Sequence, residues 1–562
     1  MHIMNGARII IELLERQGVT TIAGIPGGAN LPLYDALHRS RRIRHVLARH
    51  EQGAGFIAQG IARATGTAGV CFATSGPGAT NILTAIADAY LDSIPVICIT
   101  GQVPLAMIGT DAFQEVDTYG MSIPVTKHNF LVRKASELLR VIPEAFRIAT
   151  SGRPGPVLID VPKNVQTEVV EFAGWPEPGL PSQAAPCGAE VLLQAAGMIN
   201  EARRPILYLG GGIIHAGAAA AALRLAEKAA IPATMTLMGL GAIPAGHPLN
   251  MGMLGMHAAR STNLALEECD LLIAAGVRFD DRATGRIAEF CPGARIIHMD
   301  IDPSEIGKLK AVHTALIGDV KESLRGMHPL VSQRGRSRWR ERVRHLQETY
   351  PLVAPGNLAP QGPYGLILAI AGLLDERAII VTDVGKHQMW TAQVYPFVRP
   401  RQLLTSGGLG TMGFGLPAAI GASLACPDRQ VVCFSGDGSL QMNIQELATA
   451  VEQQVNIKII ILNNSSLGLV RQQQGLFYER HHFASEYRID IDFPAIARGF
   501  GMRSCDLGGG DDPLKILAAA IREPGPCLIN VPIGIDEDVY PMVPPGAANR
   551  TMIGGHNAEE YA

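Results

Sequence analysis

Residues 436–464 read GDGSLQMNIQELATAVEQQVNIKIIILNN. The apolar run VVCF just before this stretch and the run IKIIIL near its end have the length and composition of buried strands, so the segment reads as two neighbouring parallel strands with helical sequence between them. Each strand delivers a polar side chain to its carboxyl end, where open α/β sheets bind ligands: Asp437 in the turn Gly436-Asp437-Gly438, and Asn464 after Asn463. Mg²⁺ takes one or two carboxylates, other oxygens and ligand phosphate, and flanking glycines let backbone approach a diphosphate closely. Gly-Asp-Gly and Asn-Asn are each common turn chemistry, and either one alone reads as a turn. Placed together behind two buried strands, they read as a metal–diphosphate site.

Outward from this stretch, short apolar runs alternate with helical patterns along the whole chain, the signature of repeated βα units around parallel sheets. Three blocks separate. The first, 1–170, contains VTTIAGI, IRHVLA, GVCFAT and IPVICIT, expected as buried strands, and the helical EQGAGFIAQGIARA. FAGWPEPGLPSQAAPCGA at 172–189 reads as an extended, exposed linker. The second block, 188–330, has the strands PILYLG, DLLIAAG and ARIIHMD and an alanine-rich helix near 217–230. The basic segment 332–350 reads as a solvated surface helix and VAPGNLAPQGPYG as a second linker. The third block, 360–548, adds AIIVTDVG. The expected fold is α/β, with three doubly wound domains and mainly parallel sheets; no short-period repeat points to a solenoid.

Composition agrees. A chain of 562 residues exceeds what one core supports. With 47% hydrophobic and 18% charged residues it is not disordered, and a formal net charge of -3 offers no broad field for nucleic acid or an anionic membrane. Small molecules are the expected partners. No apolar run reaches the ~18–20 residues that span a bilayer. The opening MHIMNGARIIIELLERQG reads as an amphipathic helix ending at Gly18 without a signal-peptide core, and the nine cysteines are scattered without metal-site spacing. Reduced thiols and a cytoplasmic location are expected.

The Gly-Asp-Gly…Asn-Asn pairing matches the motif of thiamine-diphosphate enzymes. That resemblance implies Asp437 and Asn464 as side-chain ligands of Mg²⁺ and Ser466 as a carbonyl ligand, with Gly436, Gly438, Ser439 and Gly468 around the diphosphate. Thiamine chemistry also needs a carboxylate on the pyrimidine, so that the cofactor's own amino group can remove the thiazolium proton. By its residues alone, Glu51 at the start of a helix reads equally as a carboxylate answering the helix dipole. The string around it, ARHEQGAGFIAQGIARATG, resembles the thiamine-activating segment of acetohydroxyacid synthases. The likeness extends through GIPGGANLPLYDAL, TSGPGATN, IGTDAFQEVDTYG, SGRPGPVLIDVPK, MLGMHAARSTN, GVRFDDR, LTSGGLGTMGFGLPAAIGA and YPMVPPGAAN. The sequence is therefore similar to catalytic large subunits of acetohydroxyacid synthase (acetolactate synthase), in particular the bacterial isozyme I type.

The resemblance implies a pyruvate-oxidase/decarboxylase-like architecture. It implies decarboxylation of pyruvate and transfer of the two-carbon hydroxyethyl unit to a second pyruvate or to 2-ketobutyrate, in valine, leucine and isoleucine biosynthesis. Residue by residue, it places Gly28 beside the thiazolium, the Gly410 carbonyl at the amino group and Met412 beneath the bent cofactor. Gly385 and His387 fall at the diphosphate end, and Phe113, Gln114 and Lys163 line the substrate approach. Gly210, Gly211 and Gly212 follow the strand PILYLG and precede a helix, so their N–H groups suit a dinucleotide pyrophosphate; a tight βα turn is the plainer reading. Asp300, ending ARIIHMD, is placed for a ribose. Resemblance to flavin-containing members implies FAD contacts at Arg153, Thr236, Leu237, His257, Arg278, Asp280, Asp300, Ile301 and Asp319. The flavin is structural, because the reaction is redox-neutral. Arg282 is implied as the guide for the second ketoacid, where a guanidinium clasps a carboxylate.

Two positions depart from the family. Gln473 stands where most members have a tryptophan that narrows the acceptor pocket, so weak acceptor preference is expected. Lys386 stands where glutamine is usual, putting a cation beside the diphosphate. Glyoxylate carboligase, a related alternative, lacks the activating glutamate; Glu51, Asp437 and Asn464 together also argue against a non-enzymatic paralogue. Because Glu51 and Asp437 lie in different blocks, a complete site needs both apposed. In the family this occurs between subunits, which implies a homodimer or dimer of dimers, and a small regulatory subunit is a further implied partner.

Overall fold

In a computed structural model, which describes residues 1–353, 358–509 and 512–554, the apolar runs form three six-stranded sheets whose paired strands are all parallel. Across the first sheet the strands follow the order Arg44–Leu47, Thr21–Gly24, Gly69–Ala73, Val96–Gln102, Val157–Pro162, His128–Leu131. Numbered along the chain, that order is 2-1-3-4-6-5. The third sheet repeats it with Leu403–Leu404, Ile379–Thr382, Val431–Gly436, Ile457–Asn463, Cys527–Pro532 and Arg503–Asp506. The middle sheet differs: Asn250–Met253, Ala233–Met235, Pro205–Leu209, Leu271–Ala275, Arg295–Asp300 and Thr314–Ile317 give 3-2-1-4-5-6. That is the dinucleotide-binding order, whose crevice opens between strands 1 and 4.

Central strands are buried on both faces and correspondingly apolar, as in Val96–Gln102, Leu271–Ala275 and Val431–Gly436. The run IRHVLA, expected as buried, is an edge strand: Val46 is buried, whereas Arg44 and Leu47 face solvent. An edge strand keeps charge outside, which blocks pairing with other chains. The chain opens with a short strand, His2–Asn5, paired antiparallel to Val169–Phe172. The amphipathic helix follows at Gly6–Arg16, capped by Asn5 Oδ1, with Gly18 in the left-handed region.

The expected linkers behave differently from free tethers. Residues 173–188 have no helix or strand, yet the Ser182 amide donates to Ser151 Oγ at 2.8 Å and Gly179 presses on the Pro143 carbonyl with no room for a side chain. The basic segment forms the helix Ser337–Thr349, whose Trp339, Val343 and Leu346 are buried; Trp339 Nε1 donates to the Pro205 carbonyl at 3.0 Å. Part of the second linker, residues 354–357, lies outside the described residues.

The first and third sheets meet through two helices, Glu51–Thr65 and Gly415–Ala425. A side chain at Gly60 would sit 2.1 Å from the Ala418 carbonyl oxygen, and one at Gly421 2.0 Å from that of Ile57. Backbone therefore packs on backbone, with Ala54, Ala418 and Ala422 filling the remaining contact. This crossing fixes the helix that begins at Glu51 against the block that carries Asp437.

Candidate active site

The third sheet reverses its strand order between Ile379–Thr382 and Val431–Gly436, and the quoted polar residues collect at that crevice. The Ser466 amide donates to Asp437 Oδ2 at 3.1 Å, and the Asp437 carboxylate also meets the amides of Gly438 and Asn464. Burial nevertheless pushes its pKa up to about 6. Ser466 Oγ is buried without a partner, and Asn464 is buried beside it. Among the described residues no three His, Cys, Asp or Glu side chains gather to hold a metal. The available donors are one carboxylate, one amide oxygen and a backbone carbonyl, a hard-oxygen set that fits Mg²⁺ with phosphate completing its shell.

The glycines around this corner let neighbouring side chains approach closely. A side chain at Gly385 would meet the His387 ring at 2.7 Å, one at Gly438 the Tyr487 hydroxyl at 2.5 Å, and one at Gly468 the Asn464 amide nitrogen at 2.8 Å. His387 is wholly buried, its pKa pushed down to about 3, so its ring is neutral, and its Nε2 has no partner. Ser439 Oγ donates to the Val384 carbonyl at 2.7 Å. Lys386 does not stand as a free cation at the diphosphate: its Nζ lies 2.7 Å from both Asp538 Oδ1 and the Glu537 carbonyl. Burial lowers its pKa while Asp538 opposes that shift, and the ion pair ties Lys386 to the segment that carries Asp538.

The loop 406–415 is shaped by left-handed glycines at 410 and 413. Asp383, at the end of Ile379–Thr382, holds it: Oδ1 accepts from the Gly413 amide at 2.9 Å and Oδ2 from that of Gly415 at 3.0 Å. Nothing lies within 4 Å of where a Gly410 side chain would be, and the same is true of Gly28. Both glycines border open space, and Met412 is half-buried beside it.

Glu51 is the first residue of its helix, but the cap is His50, whose Nδ1 accepts from the Gln52 amide at 3.1 Å. The Glu51 carboxylate instead accepts from Asn81 Nδ2 at 3.0 Å. Glu446, from the third block, holds the entry to this helix by accepting from the amides of Arg49 and His50 at 2.9 and 3.0 Å. Gln114 has a φ of 59° and its backbone lies against Gly76. Its loop is tied by Glu115, which accepts from the amides of Gly109, Thr110 and Ala112. Phe113 is 88% exposed, and Lys163 also faces solvent.

A cavity of about 840 Å³ opens at the carboxyl ends of the middle sheet. It is lined by every residue assigned to the flavin from sequence: Arg153, the Gly210–Gly212 turn, Thr236, Leu237, His257, Arg278, Asp280, Asp300, Ile301 and Asp319. Thr236 Oγ1 is buried without a partner. The triplet needs glycine because Gly210 and Gly212 pack directly on the backbone of Gly276, at the end of strand 4. This packing, the strand order and the volume together fit a dinucleotide. Some of these side chains already have partners: Asp280 and Asp319 cap helices, and Arg153 pairs with Glu305 at 2.8 Å. Burial pushes Asp300 up to about 6 and His257 down to about 4. Gly410, Arg282 and Gln473 line the same cavity; Glu51, Gly28, Phe113, Gln114 and Lys163 do not.

Residues 4–121, 192–327 and 383–531 match the N-terminal TPP-binding, central and C-terminal TPP-binding domains of thiamine pyrophosphate enzymes. The chain is 60% identical over 549 residues to the acetolactate synthase isozyme 1 large subunit of Escherichia coli (strain K12), covering 98% of this chain and 97% of that one. The chain belongs to the acetolactate synthase large-subunit family. The isozyme 2 large subunit of the same organism is 46% identical over 552 residues (98% and 99% covered), and the large subunit of Parasynechococcus marenigrum (strain WH8102) 46% over 571 (100% and 92%). Within this acetolactate synthase fold, sequence reasoning missed Asp383, Glu446 and a buried pair, Asp88 and Asp92, behind the 406–415 loop. Only Asp383 had a visible signal, its place at the end of the strand AIIVTD.

Proposed function

We propose that this chain is the catalytic subunit of a thiamine-diphosphate- and Mg²⁺-dependent acetolactate synthase of the cytoplasm. It joins pyruvate to a second pyruvate, or to 2-ketobutyrate, for branched-chain amino acid synthesis. The observation that carries the reading is the convergence of Asp437, Asn464 and Ser466 on one crevice of a chain 60% identical to an acetolactate synthase large subunit. Three domains divide the work: 1–170 for the pyrimidine, 188–330 for FAD, and 360–548 for diphosphate and metal.

When bound, thiamine diphosphate would supply the carbon nucleophile needed for decarboxylation of a 2-ketoacid and transfer of its two-carbon unit. Asp437, Asn464 and the Ser466 carbonyl hold Mg²⁺, and Gly385, His387, Gly436, Gly438, Ser439 and Gly468 surround the diphosphate. Glu51 holds a proton at the pyrimidine nitrogen. The Gly410 carbonyl and Met412 fix the ring's orientation, and Gly28 borders the reacting carbon. Arg282, which lines the cavity with 63% of its side chain exposed, orients the acceptor carboxylate. Gln473 leaves the acceptor side without an apolar wall. FAD has no electron to carry in a redox-neutral condensation and acts as structure. The Glu51 half of the site, with exposed Gly28 and Phe113, is completed by a second copy; a homodimer is the minimal active unit, and a small regulatory subunit is a further partner.

Purified protein should show a flavin absorbance spectrum and form acetolactate from pyruvate only when thiamine diphosphate and Mg²⁺ are present. Activity independent of both additions, after exhaustive removal of bound cofactor, would overturn the assignment.

A further inference from the structure

Two acids on the helix Pro77–Leu91 and its end, Asp88 and Asp92, have fully buried carboxylates, and both face one guanidinium, that of Arg63, which is itself buried. Arg63 Nη2 lies 3.2 Å from Asp88 and 2.8 Å from Asp92. The other guanidinium bonds go to Gln59 Oε1 and to the Thr405 carbonyl, and the group stacks over the Phe414 ring at 4.9 Å. One cation thus faces two carboxylates, a formal excess of one negative charge, with all three side chains shut from bulk solvent. Such a charge is tolerated only when hydrogen-bond donors surround it.

Those donors come from the loop 406–411. The amides of Gly407 and Gly408 donate to Asp92 at 3.0 and 2.7 Å, Thr411 Oγ1 donates to Asp88 at 2.9 Å, and Ser406 Oγ donates to Asp88 as well. The Thr411 amide in turn donates to Ser406 Oγ at 2.9 Å. Close approach is built in: a side chain at Gly408 would lie 2.9 Å from Asp92 Oδ1, and one at Gly407 2.4 Å from the Met238 sulfur. The node also borders the cavity of the middle sheet. Asp92 and Ser93 line it, the backbone of Asp92 meets the buried His215 ring, and Ser93 Oγ accepts from Arg153 Nε at 2.9 Å.

Balancing the Arg63 charge within the first block would need only one acid. The second acid makes the backbone path of 406–411 the condition for burying the charge. We infer that Asp88 and Asp92 are positioning residues: together with Arg63 they fix the loop that carries Gly410 and Met412 and couple its shape to the flavin cavity. This rests on the reading of that loop as a thiamine-diphosphate wall. The chemistry is recognition of loop N–H and O–H groups by a buried carboxylate pair, and neither acid touches substrate.

The test uses the full-length protein with Thr411→Val, Thr411→Ser and Asp92→Asn. Thiamine diphosphate affinity is measured by quenching of tryptophan fluorescence in the presence of Mg²⁺, the seating of the ring by near-ultraviolet circular dichroism, and flavin content by absorbance. Thr411→Val removes a single donor to a charged acceptor and should raise the thiamine diphosphate dissociation constant about tenfold and lower kcat similarly, with KM for pyruvate little changed and flavin retained. Thr411→Ser keeps the hydroxyl and should restore both. Asp92→Asn should have a larger effect on the same quantities and also lower flavin content. If Thr411→Val melts earlier yet binds thiamine diphosphate and turns over like wild type, or if Thr411→Ser fails as Thr411→Val does, the positioning role is overturned. Should Asp92→Asn not fold, the threonine pair decides alone. Failure of the wild type itself to bind thiamine diphosphate would refute the reading of the loop, a different result from failure of the node.

Discussion

The first and third sheets are built on one strand order and finished in opposite ways. In the third, the ends of the central strands converge on a buried crevice where Asp437, Asn464, Ser466 and His387 are packed among crowded glycines. In the first, the same side of the sheet presents Gly28 after a central strand, Glu51 after the edge strand Arg44–Leu47, and Gln114 with an almost fully exposed Phe113 in the loop beyond Val96–Gln102. The sheet decides where a ligand goes; the turns decide whether the site is closed by the chain itself or left open for another surface. One topology therefore supplies an anchor in one block and an unfinished lid in the other.

The sharpest way to break this comparison is at Glu51. Glu51→Gln keeps the Asn81 contact and the packing at Gly60, so folding and thiamine diphosphate binding should persist while carboligation falls by about two to four orders of magnitude. An active Glu51→Gln enzyme would remove the first block from the chemistry. Mixing Glu51→Gln with Asp437→Ala sharpens it further: reassorted dimers with one intact site should recover about a quarter of wild-type activity. No recovery after verified subunit exchange would place Glu51 and Asp437 of one site in the same chain.

Next in size is the crossing that holds the two blocks together. Gly60→Val drives a side chain into the Ala418 carbonyl and should cost about 2–4 kcal/mol, read as a lower melting temperature. A neutral substitution would mean that the Glu51 helix is not pinned to the third block. Gln473→Trp restores an apolar wall to the acceptor side; in a competition between pyruvate and 2-ketobutyrate it should shift the product ratio toward 2-ketobutyrate by about tenfold, or about 1.4 kcal/mol.

The smallest effect concerns the first sheet's buried acid. Asp160 accepts from Thr100 Oγ1 at 2.7 Å and Gln102 Nε2 at 3.1 Å, yet burial pushes its pKa up to about 7. Its folded pKa lies above the unfolded value, so the folded state binds the proton more tightly and this group's contribution weakens as pH rises from about 4 to 7. Asp160→Asn removes that dependence. The melting temperature of the variant relative to wild type should rise between pH 5 and pH 8, and a constant difference would show that Asp160 titrates normally.

The central strands and their terminal residues were legible because buried parallel strands carry continuous apolar runs, and because Gly-Asp-Gly and Asn-Asn, each ordinary turn chemistry alone, follow two such runs at a spacing that pairs them. Strands such as Ala233–Met235, Leu403–Leu404 and Arg503–Asp506 were not, being too short or too mixed in polarity to differ from loop. The edge position of IRHVLA escaped for a related reason: a strand's neighbours, not its own residues, determine which of its faces is covered. Lys386 reads in sequence as a charge near the phosphates, and only the distant Asp538 redirects it. Asp88 and Asp92 look like surface acids on a helix until Arg63 and the glycines of 406–411 close over them.

The cavity at the carboxyl ends of the middle sheet has walls from every part of the chain: Ser93 and Arg153 from the first block, Pro181–Ala184 from the connecting strap, the glycine turn from the second, and Gly407–Gly410 from the third. No single block contains it. A flavin held there would be acquired only after all three had docked, so the yellow colour of a preparation would count assembled molecules, not merely folded middle domains.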